Sequence, residues 1–512
     1  MSSGEDSGEI APNIIWIFGD QHRAQALGCN GNKIVRTPNI DELAKNGVNF
    51  VKAVCGFPLC CPMRGSLLTS KYPHESVPGH EYQMPIDLTT IADVFNEAGY
   101  RTSYFGKWHL DGAHERWEDA AEHYVPPERR GSFKTWIGYD NNNKPWDCLV
   151  HGHDEDGNEI EHYKLDGYET DKTTDLFFQY LENHVSGGRE EPFFSVISVQ
   201  PPHSPYFGPE DKMEHYYQDE FLIKPIQFEL RKNVPDIPEI KNEARKSLAS
   251  YYSMIEQIDV NVGRLKQVLI KKGIWANTCL VFFSDHGDMH QSHGHSYKTT
   301  PHEESIRIPF IIGGGFVEER LKGEKHKQVQ ALINHVDIAP TTLGLAGLTI
   351  PASMEGFNYS TYIEKDVTEI EDEPRAAYIQ SVVPTGHGDC IDKPWRGIIT
   401  EKGWKYVCFN ECDWMMFDLN RDPYELINLA HYFKHNEKKI TLQNLLRDCI
   451  KKTGDDFNVP HAVISKDQVD KNEKDSILRR WKCENPEEFL HRVMEEEIDE
   501  KEKDVSIMRK IV

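Results

Sequence analysis

The chain has 512 residues, 38% of them hydrophobic and 28% charged, with a formal net charge of −25. That length is too great for one ordinary core and suits a globular protein with one large domain and a smaller one. So large a negative excess excludes non-specific binding to nucleic acid or to an anionic membrane, while a locally basic cleft for an anionic substrate stays open.

In chain order, the opening MSSGEDSGEIAPNIIWIF has no basic leader followed by an apolar stretch of signal length. No apolar run of about 18 residues follows anywhere, so a cytoplasmic protein without a membrane span is expected. A buried strand is expected over NIIWIF (13–18). A helix is expected over TPNIDELAKNGV (37–48), with Thr37 or Asn39 near its N-cap and Gly47 at its stop, and another over LTTIADVFNEAG (88–99). Strands follow at RTSYF (101–105) and FFSVISV (193–199), a long helix at 250–273, and strands at CLVFFS (279–284) and IPFIIGG (308–314). Strands alternating with helices argue for an α/β fold, with a large, mainly parallel sheet sandwiched by helices.

Near residue 375 the pattern changes. AAYIQSVV, WRGIITEKGWKYVCF and WMMFDLNRDPYE read as short strands of a small antiparallel sheet. The expected division is a polar segment at 1–12, a catalytic α/β domain at 13–374, an antiparallel-sheet subdomain at 375–430 and a helical, charged extension at 431–512. The ending HRVMEEEIDEKEKD reads as a solvated helix face, with contacts in a homo-oligomer as the alternative. Eleven cysteines, an odd number without framework spacing, are expected mostly as reduced thiols. Cys408 and Cys412 in CFNEC lack a second Cys/His pair for zinc and read as adjoining turn or strand positions.

Ligands in open α/β sheets bind beyond the carboxyl ends of the strands. GDQH after the first strand gives Asp20 and Gln21, and GKWH after the next gives Lys107 and His109. QPPHSP gives His203; DHGD gives Asp285 and His286, with Lys298 soon after in HGHSYK. Singly, each has an ordinary explanation as a cap, turn or loop residue. Four strands ending this way over one rim do not. Asp20, Gln21, Asp285 and His286 offer three side-chain oxygens and one imidazole, which suits Ca²⁺ or Mg²⁺, with Mn²⁺ kept open by the imidazole. Arg64, Lys107, His109, His203 and Lys298 add the cationic and proton-donating groups that a tetrahedral oxyanion needs.

GFPLCCPMRGSLLTSKYP (56–73) sets Cys60-x-Pro62-x-Arg64 at a helix start. Pro62 fits the first turn, and the positive end of the helix dipole favours an anionic nucleophile there. At this point the chain resembles the formylglycine-dependent (type I) sulfatases of the alkaline-phosphatase-like superfamily. Their signature runs C-x-P-S-R, with L-T-G and R/K-Y-P behind it. NIIWIFGDQ, YFGKWHL, PPHSPY, FSDHGD, EESIRIPFII, VDIAPTTLGLAG and FDLNRDPYELINLA resemble further family segments, from about residue 12 to about 430.

The resemblance implies that a formylglycine-generating enzyme oxidises Cys60, not Cys61, to formylglycine (3-oxoalanine). One hydroxyl of its hydrate would ligate the metal and attack sulfur, and the other would expel sulfate. It implies Asp20, Gln21, Cys60, Asp285 and His286 around one divalent metal, Ca²⁺ foremost. Arg64 would hold the nucleophile's oxygen, Lys107 and Lys298 the sulfate oxygens; His109 would serve the hydrate as base and His203 the leaving oxygen as acid. The implied substrate is a sulfate monoester of a sugar or small organic alcohol.

Many members carry two aspartates where this chain has Asp20-Gln21, and some carry Asn in place of His286. Relatives with Gln and His also hydrolyse phosphonate monoesters, phosphodiesters or choline sulfate, so a phosphonate monoester or phosphodiester hydrolase is the second expectation. Met63 and Ser70 depart from the family's Ser and Gly. His74, His80, His290, His293, His295, His302, Trp395, Arg396 and Lys405 are pocket candidates with equally good structural readings. A non-enzymatic binding protein would have lost a chemical residue, and none is missing.

Overall fold

The computed structural model describes residues 11–114, 120–186, 188, 191–219, 221–386 and 391–460. The segment 1–10 and the charged tail from 461, HRVMEEEIDEKEKD included, lie outside the described residues. The chain divides into two compact units, one ending at Glu401 and the other beginning at Lys402.

A ten-stranded sheet organises the first unit. Its strands are β1 (Asn13–Gly19), β2 (Val48–Phe50), β3 (Arg101–Lys107), β4 (Thr135–Tyr139), β5 (Leu149–His153), β6 (Glu159–Lys164), β7 (Phe193–Val199), β8 (Thr278–Ser284), β9 (Phe310–Gly313) and β10 (Lys327–Val329). Across the sheet they run β10-β2-β9-β8-β1-β7-β3-β4-β5-β6. The middle strands β8, β1, β7, β3 and β4 pair in parallel, and only β9 and β5 run against the others. The sheet is mainly parallel, as expected, with antiparallel pairings towards both flanks.

Every residue of β1, β7 and β8 is buried. A strand covered by helices on both faces has no solvated side, so its sequence is a continuous apolar run. The helix Pro238–Lys271 supplies part of that cover, placing Leu248, Ile255, Ile258 and Val262 in one core with Ile15 and Ile17 of β1. It begins well before the expected residue 250. Pro238 presets the first turn, and the polar residues behind it carry no apolar periodicity. The helix Pro38–Asn46 has the expected Thr37 and Gly47 at its ends. Its first-turn N–H groups, at Asn39 and Ile40, donate to Asp259 Oδ1 of the long helix at 2.9 and 2.8 Å. A neighbouring element thus does what a cap residue ordinarily does.

Strand register sets the site. Gly19 lies level with Val199 and Ser284, and Gly106 with Ser198. The loops leaving β1, β3, β7 and β8 therefore rise from one rim.

A second, antiparallel sheet runs in the order β11 (Ala376–Ser381), β12 (Trp395–Thr400), β13 (Trp404–Phe409), β14 (Cys412–Asp418). Cys408 lies on β13 and Cys412 opens β14 opposite Phe409. Trp395 Nε1 donates to Thr299 O at 3.3 Å and Arg396 to Ser381 O at 2.7 Å, and Lys405 pairs with Glu425 at 2.6 Å. All three are buried and engaged in these contacts. The helix Asn436–Thr453 follows. Among the described residues, no helix is long and apolar enough to cross a membrane.

Candidate active site

β1 ends at Gly19, and the next two residues turn sharply: Gln21 has φ 71°, in the left-handed region. The turn is held from two sides. Gln21 N donates to Asp285 Oδ1 at 2.8 Å, and Tyr251 OH donates to Gln21 O at 2.7 Å. Beyond β8, His286 N donates to the same Asp285 oxygen at 2.8 Å. His286 Nδ1 faces Gly287 O at 3.0 Å, so that nitrogen carries the proton and Nε2 keeps its lone pair. Cys60 is the first residue of the helix Cys60–Thr69, entered from an extended Leu59, and all ten helix residues are buried.

These elements converge on the Cys60 sulfur. Sγ lies 3.1 Å from Lys298 Nζ, 3.2 Å from His286 Nε2 and 3.4 Å from Asp20 Oδ1. Arg64, one turn along the helix, places Nη2 3.3 Å from both Asp20 Oδ2 and Asp285 Oδ2. Its Nη1 donates to Lys107 O and Ser198 Oγ, each at 2.8 Å. Lys107 Nζ pairs with Asp20 Oδ2 at 2.7 Å, and Lys298 Nζ meets His203 Nε2 at 3.0 Å. Nine of the ten expected residues thus join one contact network. His109 stands beside it, with its ring edge-on to His80 at 5.5 Å and Nε2 3.4 Å from the Asn141 amide nitrogen.

Charge in the cluster is strongly biased. Burial alone would raise the Asp20 carboxyl, but Lys107, Lys298 and Arg64 hold it well below the usual range. Burial lowers His286, and burial with cationic neighbours takes His109 and His203 well below the ordinary imidazole value, so all three stay neutral. Burial and the Asp20 charge push the Cys60 thiol up to about 12.

The residues present fit a hard divalent cation. Asp20, Cys60, Asp285 and His286 each offer a ligand atom within 4.8 Å of the others. Gln21 Oε1 is buried without a hydrogen-bond partner, while its Nε2 donates to Asp288 Oδ2 at 2.5 Å. A buried amide oxygen held in that way is a ligand in search of a cation.

Several supporting groups escape sequence reading. Ser198 Oγ, held between Arg64 and Lys107 O, is one of two hydroxyls in the otherwise apolar run of β7. Tyr104 OH also donates to Lys107 O, and Asp288 orients Gln21. Their only signal is a polar group inside a buried strand or one step beyond a motif. His74 faces Gln380, His290 contacts Ser247, and His293 stacks on His302 with ring centres 4.2 Å apart.

Residues 12–348 match the family model for sulfatases. The chain belongs to the sulfatase family. As a sulfatase it is a sulfuric ester hydrolase. Residues 291–452 also match the model for the N-sulphoglucosamine sulphohydrolase C-terminal region. This sulfatase is 33% identical over 462 residues to the ulvan-active sulfatase of Formosa agariphila, across 89% of this chain and 84% of that one. The crystal structure of the yidJ protein of Bacteroides fragilis aligns with a TM-score of 0.75 at 26% identity, covering 89% of this chain and 98% of the other. A protein solved with its substrate D-glucosamine-2-N,6-O-disulfate shares the fold, at a TM-score of 0.73 and 23% identity over 87% and 98% of the two chains.

Proposed function

We propose that the rim cluster hydrolyses a sulfate monoester of a saccharide or small organic alcohol, using a formylglycine matured from Cys60 and one divalent cation, Ca²⁺ foremost. Asp20, Gln21, Asp285 and His286 would hold the cation together with the matured residue 60. The observation that carries this reading is the Cys60 sulfur within 3.4 Å of Asp20, His286 and Lys298 at once. That sulfur stands where the oxygens of the hydrated aldehyde would be. When bound, the cation supplies Lewis acidity for the charge that develops at sulfur. The matured side chain supplies two hydroxyls, one to attack and one to expel sulfate, which an ordinary Ser or Cys lacks.

The chain's own residues do the rest. Arg64 offsets the negative charge that Asp20 and Asp285 place side by side. Lys298 and Lys107 grip the sulfate oxygens as charge-assisted donors. An anionic sulfate beside His203 favours its protonated form, so the ring is charged when its proton is needed at the leaving oxygen. His109 takes a proton from the hydrate.

The first experiment is mass spectrometry of the peptide spanning residues 53–71, from protein made with a formylglycine-generating enzyme. Conversion of thiol to aldehyde removes about 18 Da at Cys60, the change that nucleophilic turnover demands. The converted protein should release sulfate from sugar or aryl sulfates, and Cys60→Ala should not. An intact thiol with activity that survives Cys60→Ala sinks the reading. Phosphonate monoesters and phosphodiesters, which carry the same single negative charge as a sulfate monoester, are the second reading, motivated by Gln21 in place of a second aspartate. A matched pair of esters decides between them by kcat/KM.

A further inference from the structure

Next to the oxygen-rich cluster stands a second group of different chemistry. We propose that Cys61, His80 and His109 form a separate site for a thiophilic divalent cation such as Zn²⁺, and that its occupation inhibits hydrolysis. Each of the three offers a ligand atom within 4.8 Å of the other two. Cys61 Sγ and His80 Nδ1 are already 3.9 Å apart. Tetrahedral zinc with bonds of about 2.0–2.3 Å places its ligands roughly 3.5 Å from one another, so shifts of an ångström or less close the site.

The surroundings act on each ligand. His80 turns Nε2 to Glu81 Oε1 at 3.1 Å, leaving Nδ1 towards the sulfur. Burial holds the Cys61 thiol well above its ordinary range, and the Glu81 N–H that donates to Sγ at 3.3 Å only partly offsets this, so a bound cation has to displace the proton. His109 is 1% exposed, and its Nδ1 is buried without a hydrogen-bond partner. Asn141 Oδ1 is likewise buried and unmatched, and turning that amide would set it against His109 Nε2–H, leaving Nδ1 with its lone pair. His80 is only partly buried, which gives a cation its way in.

Ligand softness keeps the two sites distinct. Carboxylate and amide oxygens select hard cations, whereas one thiolate and two imidazoles select zinc-like ones. On binding, the Cys61 S–H bond breaks, its proton goes to solvent and sulfur bonds the metal, with no change of oxidation state. The inhibitory half of the proposal rests on the proposed role of His109, whose lone pair the metal would occupy.

The test uses fully matured enzyme saturated with Ca²⁺, so that residue 60 is no longer a thiol. Co²⁺ serves as the spectroscopic probe. Stoichiometric Co²⁺ should give a near-ultraviolet thiolate-to-metal band that Zn²⁺ bleaches. Cys61→Ser should abolish the band. His80→Gln, outside the maturation motif, should weaken binding about ten- to a hundredfold and relieve inhibition by Zn²⁺ while leaving zinc-free turnover unchanged. Peptide mass spectra confirm equal maturation of every variant. No thiolate band, or a band that persists in Cys61→Ser, overturns the site; a band without zinc inhibition overturns its effect. Sulfate release without a band leaves the sulfatase reading standing, and a band on a protein inactive towards every ester separates the two failures.

Discussion

Gln21 can serve a cation only if its amide is held one way round. Asp288 holds it: Oδ2 accepts from Gln21 Nε2 and from Tyr206 OH, each at 2.5 Å, while Oδ1 accepts from His290 N at 3.0 Å. Asp288→Asn removes the charged acceptor, so the amide loses its bias. A Ca²⁺ titration of activity should then need about ten- to a hundredfold more metal, with kcat at saturation close to that of the parent. A fall in kcat at saturating Ca²⁺ with unchanged metal demand would give Asp288 another role. Asp20, Gln21, Asp285 and His286 are legible in the sequence because each follows an apolar strand directly. The duty of Asp288 is not, although it lies in the same tetrapeptide as Asp285. Its partner Gln21 is 267 residues away, and no local pattern records that pairing.

Glu169 joins three elements. It opens the helix Glu169–Ser186, and its Oε1 accepts from Tyr139 OH of β4 at 2.8 Å and from Gln200 N beyond β7 at 3.2 Å. Burial outweighs these hydrogen bonds and raises the carboxyl to about 7. The folded state therefore holds its proton more tightly than the unfolded chain. The stability this contributes is complete below the unfolded value near 4.5 and is lost as pH rises through about 7. Between those limits, Glu169→Gln should have a flatter dependence of Tm on pH than the parent; an identical slope would place the titration elsewhere. The inner strands β1, β7 and β8 were legible because burial on both faces leaves a mostly apolar run. β6, with EIEHYK at the sheet edge, was not, because exposed and half-buried residues alternate there with little apolar content. The start of Pro238–Lys271 was hidden by its polar first turns, for the same reason.

For the whole molecule, a cation bound only by the folded state is a stabiliser by mass action. At a hundredfold excess over its dissociation constant, it contributes about 2.7 kcal/mol. Stripping the matured protein with a chelator should lower Tm by several degrees, and Ca²⁺ should restore it in proportion to the logarithm of its concentration. A Tm indifferent to Ca²⁺ and Mg²⁺ alike would remove the metal from the reading. The general architecture, a mainly parallel sheet with a small antiparallel one after it, was open to sequence reasoning because periodicity changes near residue 375. The substrate was not, since the loops that line a pocket follow no period.

Cys60 is 1% exposed, on a helix with no residue at the surface. On the reading in which that residue matures, the timing of synthesis is decided by the fold. An enzyme that oxidises the thiol has to draw the segment around it into its own cleft, and the finished molecule offers no such segment. Maturation must therefore come before the chain closes. Native protein made without the enzyme should stay unconverted when the enzyme is added afterwards, whereas the same protein unfolded and refolded in its presence should gain the aldehyde. A cell that makes this sulfatase has one interval in which to arm it, between the ribosome and the folded state.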